Sequence, residues 1–197
     1  MANDRQQTSL TLLQRLRANE PDAWARMVAL YRPLVCYWCG RQGLSGADAD
    51  DVAQEVFQVA AARMAEFRRD RPGDTFRGWL RGITRLKALE HLREAGQTPV
   101  AAGGSTALVR LQGVAEPEPE SAEEDPPSEI AGLLRRALDL VRAEFEPATW
   151  RAFLLTVVDG RTAPDAASEL GISAVAVRQA KSRVLRRVRQ ELGDLPE

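Results

Sequence analysis

The sequence is poor in the residues on which most metal and nucleophilic sites depend. Its 197 residues include one histidine and two cysteines, whereas a structural zinc site needs about four ligands. A nucleophile with an adjacent base cannot be assembled from so few candidates either. We therefore expect no catalytic residue, no metal and no cofactor. This argues against a hydrolase or redox enzyme, the first of two alternative functions for this sequence.

Long hydrophobic runs are also absent. No stretch of eighteen or more apolar residues occurs, and residues 1–7 are polar with no apolar stretch after them, so we expect neither membrane insertion nor a secretion signal. The cytoplasm is the expected location. The apolar content of 44% is still sufficient for compact cores.

The two cysteines, Cys36 and Cys39, have the spacing of a metal or redox pair. They fall late in a predicted helix, whereas reactive pairs normally lie at a helix N-terminus. The single histidine, His91, has no cysteine near it in sequence. We interpret the cysteines as structural and His91 as a residue of a helix surface.

The net charge of −1 hides two oppositely charged segments. Residues 113–130 contain four prolines and no basic residue. Low hydrophobicity, like charge and proline prevent a segment from packing, so we predict a disordered linker over residues 96–128. The linker separates predicted domains at 1–95 and 129–197. Residues 113–130 contain seven acids: Glu116, Glu118, Glu120, Glu123, Glu124, Asp125 and Glu129.

Outside the linker the apolar residues recur with a helical period, and the alternation typical of strands is absent. This predicts an all-α protein with two small helical domains. Predicted helices in the first half comprise a short leading helix near residues 10–16 and longer ones at 22–40, 47–67 and 75–95. In the third helix, Val52, Val56 and Ala60 form one apolar stripe. Arg77, Arg81 and Arg85 recur every fourth residue of the fourth helix, which predicts an exposed basic stripe.

The second half contains a helix-turn-helix pattern. Residues 163–170 and 174–192 are predicted helices, joined by a turn at residues 171–173. Gly171 suits a left-handed turn position and Ser173 can cap the second helix. The second helix of such a pair commonly enters the major groove of DNA. Its basic residues are Arg178, Lys181, Arg183, Arg186, Arg187 and Arg189.

These motifs together resemble the extracytoplasmic-function (ECF) sigma factors of bacterial RNA polymerase. Residues 50–57 (DDVAQEVF) resemble the family's polymerase-binding helix. Residues 76–80 (FRGWL) and 88–93 (ALEHLR) resemble its DNA-melting helix, which reads the minus-ten element. Residues 159–162, 167–173 and 177–189 are similar to the domain that reads the minus-thirty-five element. The linker lies between the two modules, as in the family.

The resemblance implies core RNA polymerase and promoter DNA as partners, and an anti-sigma factor as a possible one. It implies three groups of site residues. Asp51, Gln54, Glu55 and Gln58 would bind polymerase. Arg77, Arg81, Arg85 and Lys87 would hold the opened minus-ten strand, helped by Arg68, Arg69 and Arg71 in the preceding loop. Arg178, Lys181, Arg183, Arg186 and Arg187 would bind the minus-thirty-five duplex. Trp79 lies on an apolar stripe, and we expect it to pack in the core.

Three departures from the family pattern limit what can be transferred. Ala180 stands where the family often has arginine, Leu86 where it often has asparagine, and Pro164 begins the first motif helix. The promoter sequence therefore cannot be copied from relatives. The second rival interpretation is a helix-turn-helix repressor or activator with a ligand-sensing N-terminal domain. The basic stripe and polar helix face of the first half favour the sigma factor.

Overall fold

The computed structural model describes residues 11–68, 74–96 and 125–192. These residues form eight α-helices and one short 3-10 helix with no strand, which confirms the all-α prediction. None of the described helices is long and apolar enough to cross a membrane. The α-helices are α1 (Leu12–Arg17), α2 (Pro21–Arg41), α3 (Ala47–Arg63), α4 (Phe76–Glu94), α5 (Pro127–Val141), α6 (Pro147–Val157), α7 (Ala163–Leu170) and α8 (Ala174–Leu192).

One predicted helix boundary needs correction. The third helix was predicted to reach residue 67, but α3 ends at Arg63. The N–H groups of Met64, Glu66 and Phe67 instead bond carbonyls three residues earlier, and these tight turns end the helix. The predicted linker, residues 96–128, overlaps the first two residues of α5, which begins at Pro127; its bounds stay a prediction. Residues 97–124 of the predicted linker lie outside the described part of the chain.

Contacts divide the chain into two compact units. One, here called the central unit, comprises residues 27–130, and the other, the terminal unit, comprises residues 1–26 with 131–197. The division falls inside α2 and α5. The domain boundaries predicted from the sequence, after residues 95 and 128, stay predictions.

The central unit is built around the apolar faces of α2, α3 and α4. Its core includes a cluster of aromatic rings in which Phe76 contacts Tyr31 and Phe67 edge to face, with ring centroids 5.4 and 5.7 Å apart. The ring of Trp79 lies 5.1 Å from that of Phe67 and 5.7 Å from that of Phe76. Such contacts add to the stability gained from burial alone. Trp79 itself is half-buried, so it packs against these rings at the edge of the core.

The core of the terminal unit joins α6, α7 and α8. Ala152 and Leu155 of α6, Ala166 of α7, and Val177 and Ala180 of α8 are all buried in one cluster. The small alanine side chains allow the three helices to approach closely, and they also leave a modest apolar area to bury. Helix α1 packs on α8 in the same unit.

Candidate nucleic-acid and protein interfaces

The polar face predicted on α3 is present. Helix α3 has its core-facing residues at Val52, Ala53, Val56, Phe57 and Ala60, and this places the intervening polar positions away from the core. Four polar side chains are exposed: Asp51, Gln54, Glu55 and Gln58. Together they offer hydrogen-bond acceptors and amides on one solvent-facing surface.

The basic stripe on α4 is only partly open. Arg85 is exposed, whereas the side chains of Arg77 and Arg81 retain 32% and 35% of their exposure. Both arginines pair with the carboxylate of Asp125. Each four-residue step advances about 40° around a helix of 3.6 residues per turn. The stripe therefore winds around α4, with Arg77 beside this carboxylate and Arg85 exposed to solvent.

Lys87 does not continue that stripe. It lies two residues after Arg85, about 200° around the helix, and its Nζ is 2.8 Å from Glu90 and 3.3 Å from Glu55 of α3. The hydrogen bond to Glu90 raises the pKa of Lys87. Partial burial lowers this pKa, but the charge of Glu90 and the bond and charge of Glu55 raise it further, so the net shift is upward. Lys87 thus connects α4 to the polar face of α3.

Of the three loop arginines, Arg68 donates to the carbonyl of Ala65 at 2.6 Å, and Arg69 and Arg71 lie outside the described residues.

The helix-turn-helix has well-formed caps. Thr162 caps α7 by accepting from the N–H of Asp165, and Pro164 sits in the first turn, where its missing N–H leaves no bond unmade. Gly171 adopts the left-handed conformation with φ of 64°, which glycine reaches without steric cost. The Ser173 hydroxyl then accepts from the N–H of Ala176 at 3.1 Å and begins α8. The turn predicted from glycine and serine is therefore observed.

Helix α8 presents a mixed surface to solvent. Four of its five predicted DNA-binding residues are exposed, namely Arg178, Lys181, Arg183 and Arg186. Three uncharged residues are exposed as well: Val175, Gln179 and Ser182. Charge alone does not identify these three residues as exposed. Their positions opposite the buried Val177, Val184 and Val188 do, because they follow from the helical period.

Arg187 is the exception among the basic residues of α8. Its side chain is 12% exposed, and its Nε lies 2.6 Å from Glu144. A second nitrogen lies 2.7 Å from Glu191, and Glu191 is also 2.6 Å from Nε of Arg26. Burial lowers the pKa of Arg187, but the hydrogen bonds and charges of Glu144 and Glu191 outweigh it and raise the pKa overall. We name Arg26, Glu144, Arg187 and Glu191 the buried ion network after the burial of Arg187 and Glu191, since Arg26 and Glu144 are 27% and 36% exposed. The network favours a structural role for Arg187.

The cysteine pair has the environment of a structural pair. Both thiols are free, and Cys39 is buried. Burial, with a smaller effect of Cys36, raises the pKa of Cys39 to about 11. Burial also raises the pKa of Cys36, as does the neighbouring carboxylate of Asp50. Because the thiolate is the reactive form, these surroundings disfavour redox or metal chemistry.

Known proteins resemble this chain over most of its length. The Sigma-70 region 2 family matches residues 27–98, which contain the motifs of α3 and α4. The ECF RNA polymerase sigma factor SigD of Mycobacterium tuberculosis is 33% identical over 180 residues, covering 89% of this chain and 79% of SigD. The RNA polymerase sigma factor CnrH of Cupriavidus metallidurans is 28% identical over 158 residues, covering 79% of this chain and 78% of CnrH. A solved structure of CnrH in complex with the cytosolic domain of CnrY covers 90% of this chain and 92% of that one, with 22% identity and a TM-score of 0.34.

The similarity to SigD extends over 89% of this chain. A repressor with a ligand-sensing first half is not supported, because that half is the part that matches Sigma-70 region 2. The chain belongs to the ECF family of RNA polymerase sigma factors, which direct promoter-specific transcription initiation.

Proposed function

We propose that three surfaces divide the work of this sigma factor: the polar face of α3 binds core polymerase, the basic stripe of α4 holds the opened minus-ten strand, and α8 reads the minus-thirty-five duplex. The observation that carries the proposal is the exposure of α8. Four exposed basic side chains and three exposed uncharged ones share the solvent-facing surface of α8. Such a face supplies both phosphate contacts and contacts to base edges.

For polymerase binding, the main candidates are the exposed polar residues Asp51, Gln54 and Gln58. All three are exposed on the face of α3 that does not serve its own core. Carboxylate and amide groups complement basic and amide partners across an interface and determine which partner fits. Glu55 joins them, although its contact with Lys87 ties it to α4.

For the minus-ten strand, Arg85 is exposed, and Arg77 and Arg81 precede it on the same stripe, paired with Asp125. Guanidinium groups bind phosphates, and a basic groove that follows the backbone is typical of single-strand binding. Lys87, in the second half of α4, would bind the strand only after release from Glu55 and Glu90.

For the minus-thirty-five duplex, we assign two kinds of contact to α8. Arg178, Lys181, Arg183 and Arg186 bind phosphates, which gives affinity without sequence information. Gln179 and Ser182 face the bases, where an amide can bond adenine, and Val175 offers an apolar contact to a thymine methyl group. Arg187 contributes by fixing α8 within the terminal unit.

The remaining proposals concern the whole chain. The segment at residues 96–128 tethers a polymerase- and minus-ten-binding domain (1–95) to a minus-thirty-five-binding domain (129–197), and the protein acts in the cytoplasm without catalysis of its own. We also propose an anti-sigma factor as a partner, since the relative CnrH has been solved in complex with the cytosolic domain of CnrY.

The test is transcription in vitro with core polymerase on a library of genomic fragments. Addition of the protein should produce discrete start sites that share two spaced elements. Gln179→Ala should change which fragments are selected, whereas Arg178→Ala should lower transcription from all of them. A selection unaffected by Gln179→Ala contradicts the base-reading role.

A further inference from the structure

A single aspartate of the acidic segment is buried against the basic stripe. The side chain of Asp125 keeps only 1% of its exposure. A carboxylate is almost never buried to this degree unless a cation pairs with it. The partners of Asp125 all belong to the central unit, where they form a small anion-binding site.

Three side chains make up this anion site, and we use that name for Trp38 of α2 with Arg77 and Arg81 of α4. The indole N–H of Trp38 donates to Oδ1 of Asp125 at 2.7 Å. Nε of Arg77 lies 3.3 Å from Oδ2, and Arg81 hydrogen-bonds Oδ1. The Arg81 guanidinium also lies over the Trp38 ring, 5.2 Å from its centroid, which is a cation–π arrangement.

The composition of the anion site fits a nucleic-acid backbone as well as a carboxylate. Two guanidinium groups and an indole N–H are all donors, and they converge on one negative group. A phosphodiester carries one negative charge and accepts hydrogen bonds from arginine as a carboxylate does. Exchange of Asp125 for a phosphate would therefore conserve the charge of the site.

We propose that Asp125 is an intramolecular competitor of DNA, which occupies the anion site in the free protein and is displaced by a phosphate of the opened promoter strand. The inference rests on the proposed function of Arg77 and Arg81 in binding that strand. Five further acidic residues lie between positions 116 and 124. Because this negatively charged segment is joined to Asp125, its charge also repels the DNA that would displace Asp125.

The location of the anion site permits such an exchange. Arg77 and Arg81 keep about one third of their exposure, so the site opens at the surface. Asp125 lies before the first residue of α5, and its release requires no helix to unfold. The apparent affinity for DNA is then the intrinsic affinity multiplied by the fraction of molecules whose site is open.

The test compares two neutral substitutions in the full chain. Asp125→Asn removes the charge and keeps the shape, including the acceptor for Trp38. Glu129→Gln makes the same change in net charge four residues later at an exposed position and serves as the control. Binding of a fluorescein-labelled single-stranded DNA at low salt is measured by fluorescence anisotropy. If the anion site is closed in about nine molecules of ten, Asp125→Asn should tighten binding about tenfold, and Glu129→Gln should change it little.

A third variant separates this inference from the proposed function. In the Asp125→Asn background, Arg81→Ala should remove most of the gain. If Asp125→Asn binds no better than Glu129→Gln, but adding Arg81→Ala weakens binding, the competition is wrong and the DNA role of Arg81 stands. If neither change affects binding, both ideas are wrong.

Nuclear magnetic resonance gives a direct view of displacement. The indole N–H resonance of Trp38, assigned with Trp38→Phe, reports the bond to Asp125. Saturating single-stranded DNA should shift this resonance in the wild-type protein. An unchanged resonance in a protein that has bound DNA would overturn the proposal, because Asp125 would then still be in place.

Discussion

Substitution of Glu191 should strongly destabilise the terminal unit, although Glu191 is a charged residue near the end of α8. Its side chain is 2% exposed and lies 2.6 Å from Arg26 and 2.7 Å from Arg187. Truncation by Glu191→Ala removes one of the two acids of the buried ion network and leaves two guanidinium groups with Glu144. Removing one partner of a buried ion pair costs about 3–5 kcal/mol.

Glu169 provides a matched control within the same unit. It also has two arginine partners, Arg151 at 3.2 Å and Arg161 at 3.7 Å, but the three side chains are 35–56% exposed. Exposed pairs of this kind contribute about 0–1 kcal/mol. Glu169→Ala should therefore destabilise the unit much less than Glu191→Ala, although both remove a glutamate with two cationic neighbours.

Hydrogen exchange measured by mass spectrometry suits this comparison because it reports the opening of α8 without requiring the two units to unfold together. A loss of about 3 kcal/mol should raise the opening constant of peptides from α8 about a hundredfold, since about 1.4 kcal/mol corresponds to tenfold. Glu169→Ala should raise it less than about fivefold. Equal effects of the two substitutions would refute the reasoning.

A double substitution tests whether the cost arises from unpaired charge. Arg187→Met with Glu191→Leu removes one cation and one anion together, and Arg26 and Glu144, which lie 3.2 Å apart, remain as a pair. Apolar replacements of a buried pair are often neutral or stabilising. The double variant should be more stable than Glu191→Ala alone, and a lower stability would show that specific bonds of the network matter more than its charge balance.

Three further outcomes follow from the proposed surfaces. Arg178→Ala and Arg183→Ala should each flatten the dependence of log affinity for duplex DNA on log salt by about one unit, and unchanged slopes in both would exclude phosphate contacts. Asp51→Arg with Gln54→Ala should abolish the pull-down of core polymerase while the circular dichroism stays that of the wild type, and normal recovery of polymerase would contradict the role of α3. Limited proteolysis should cut first between residue 96 and the start of α5 at Pro127, because acids and prolines hinder packing there; a first cut inside a described helix would contradict the linker.

Local patterns in the sequence were sufficient to predict most of the helices. The stripe of Val52, Val56 and Ala60 identified the buried side of α3, and its exposed polar side followed by elimination. Gly171 and Ser173 identified the turn of the helix-turn-helix, because both act on backbone within a few residues of themselves. The end of α3 was placed too late since the apolar period continues through Phe67, which packs on Phe76 from a turn instead of a helix.

The two most informative contacts could not be predicted in this way. Asp125 meets a tryptophan 87 positions earlier in the chain and an arginine 44 positions earlier. Arg187 meets Glu144 across 43 positions, and Glu191 meets Arg26 across 165. No period or spacing connects such partners. Charge alone suggested solvent or DNA for these arginines, whereas tertiary contacts give them carboxylate neighbours.

The two kinds of acid contact differ in what holds the carboxylate. Glu191 belongs to α8, the same helix as Arg187, so the pair stays together for as long as that helix is folded. Asp125 precedes α5, and its side chain contacts the anion site. A contact within one folded helix is suited to stability, whereas one made by a segment outside the helices can be exchanged for another anion at low structural cost. For this reason we assign Arg187 to the architecture of the terminal unit and keep Arg77 and Arg81 among the residues proposed to bind DNA.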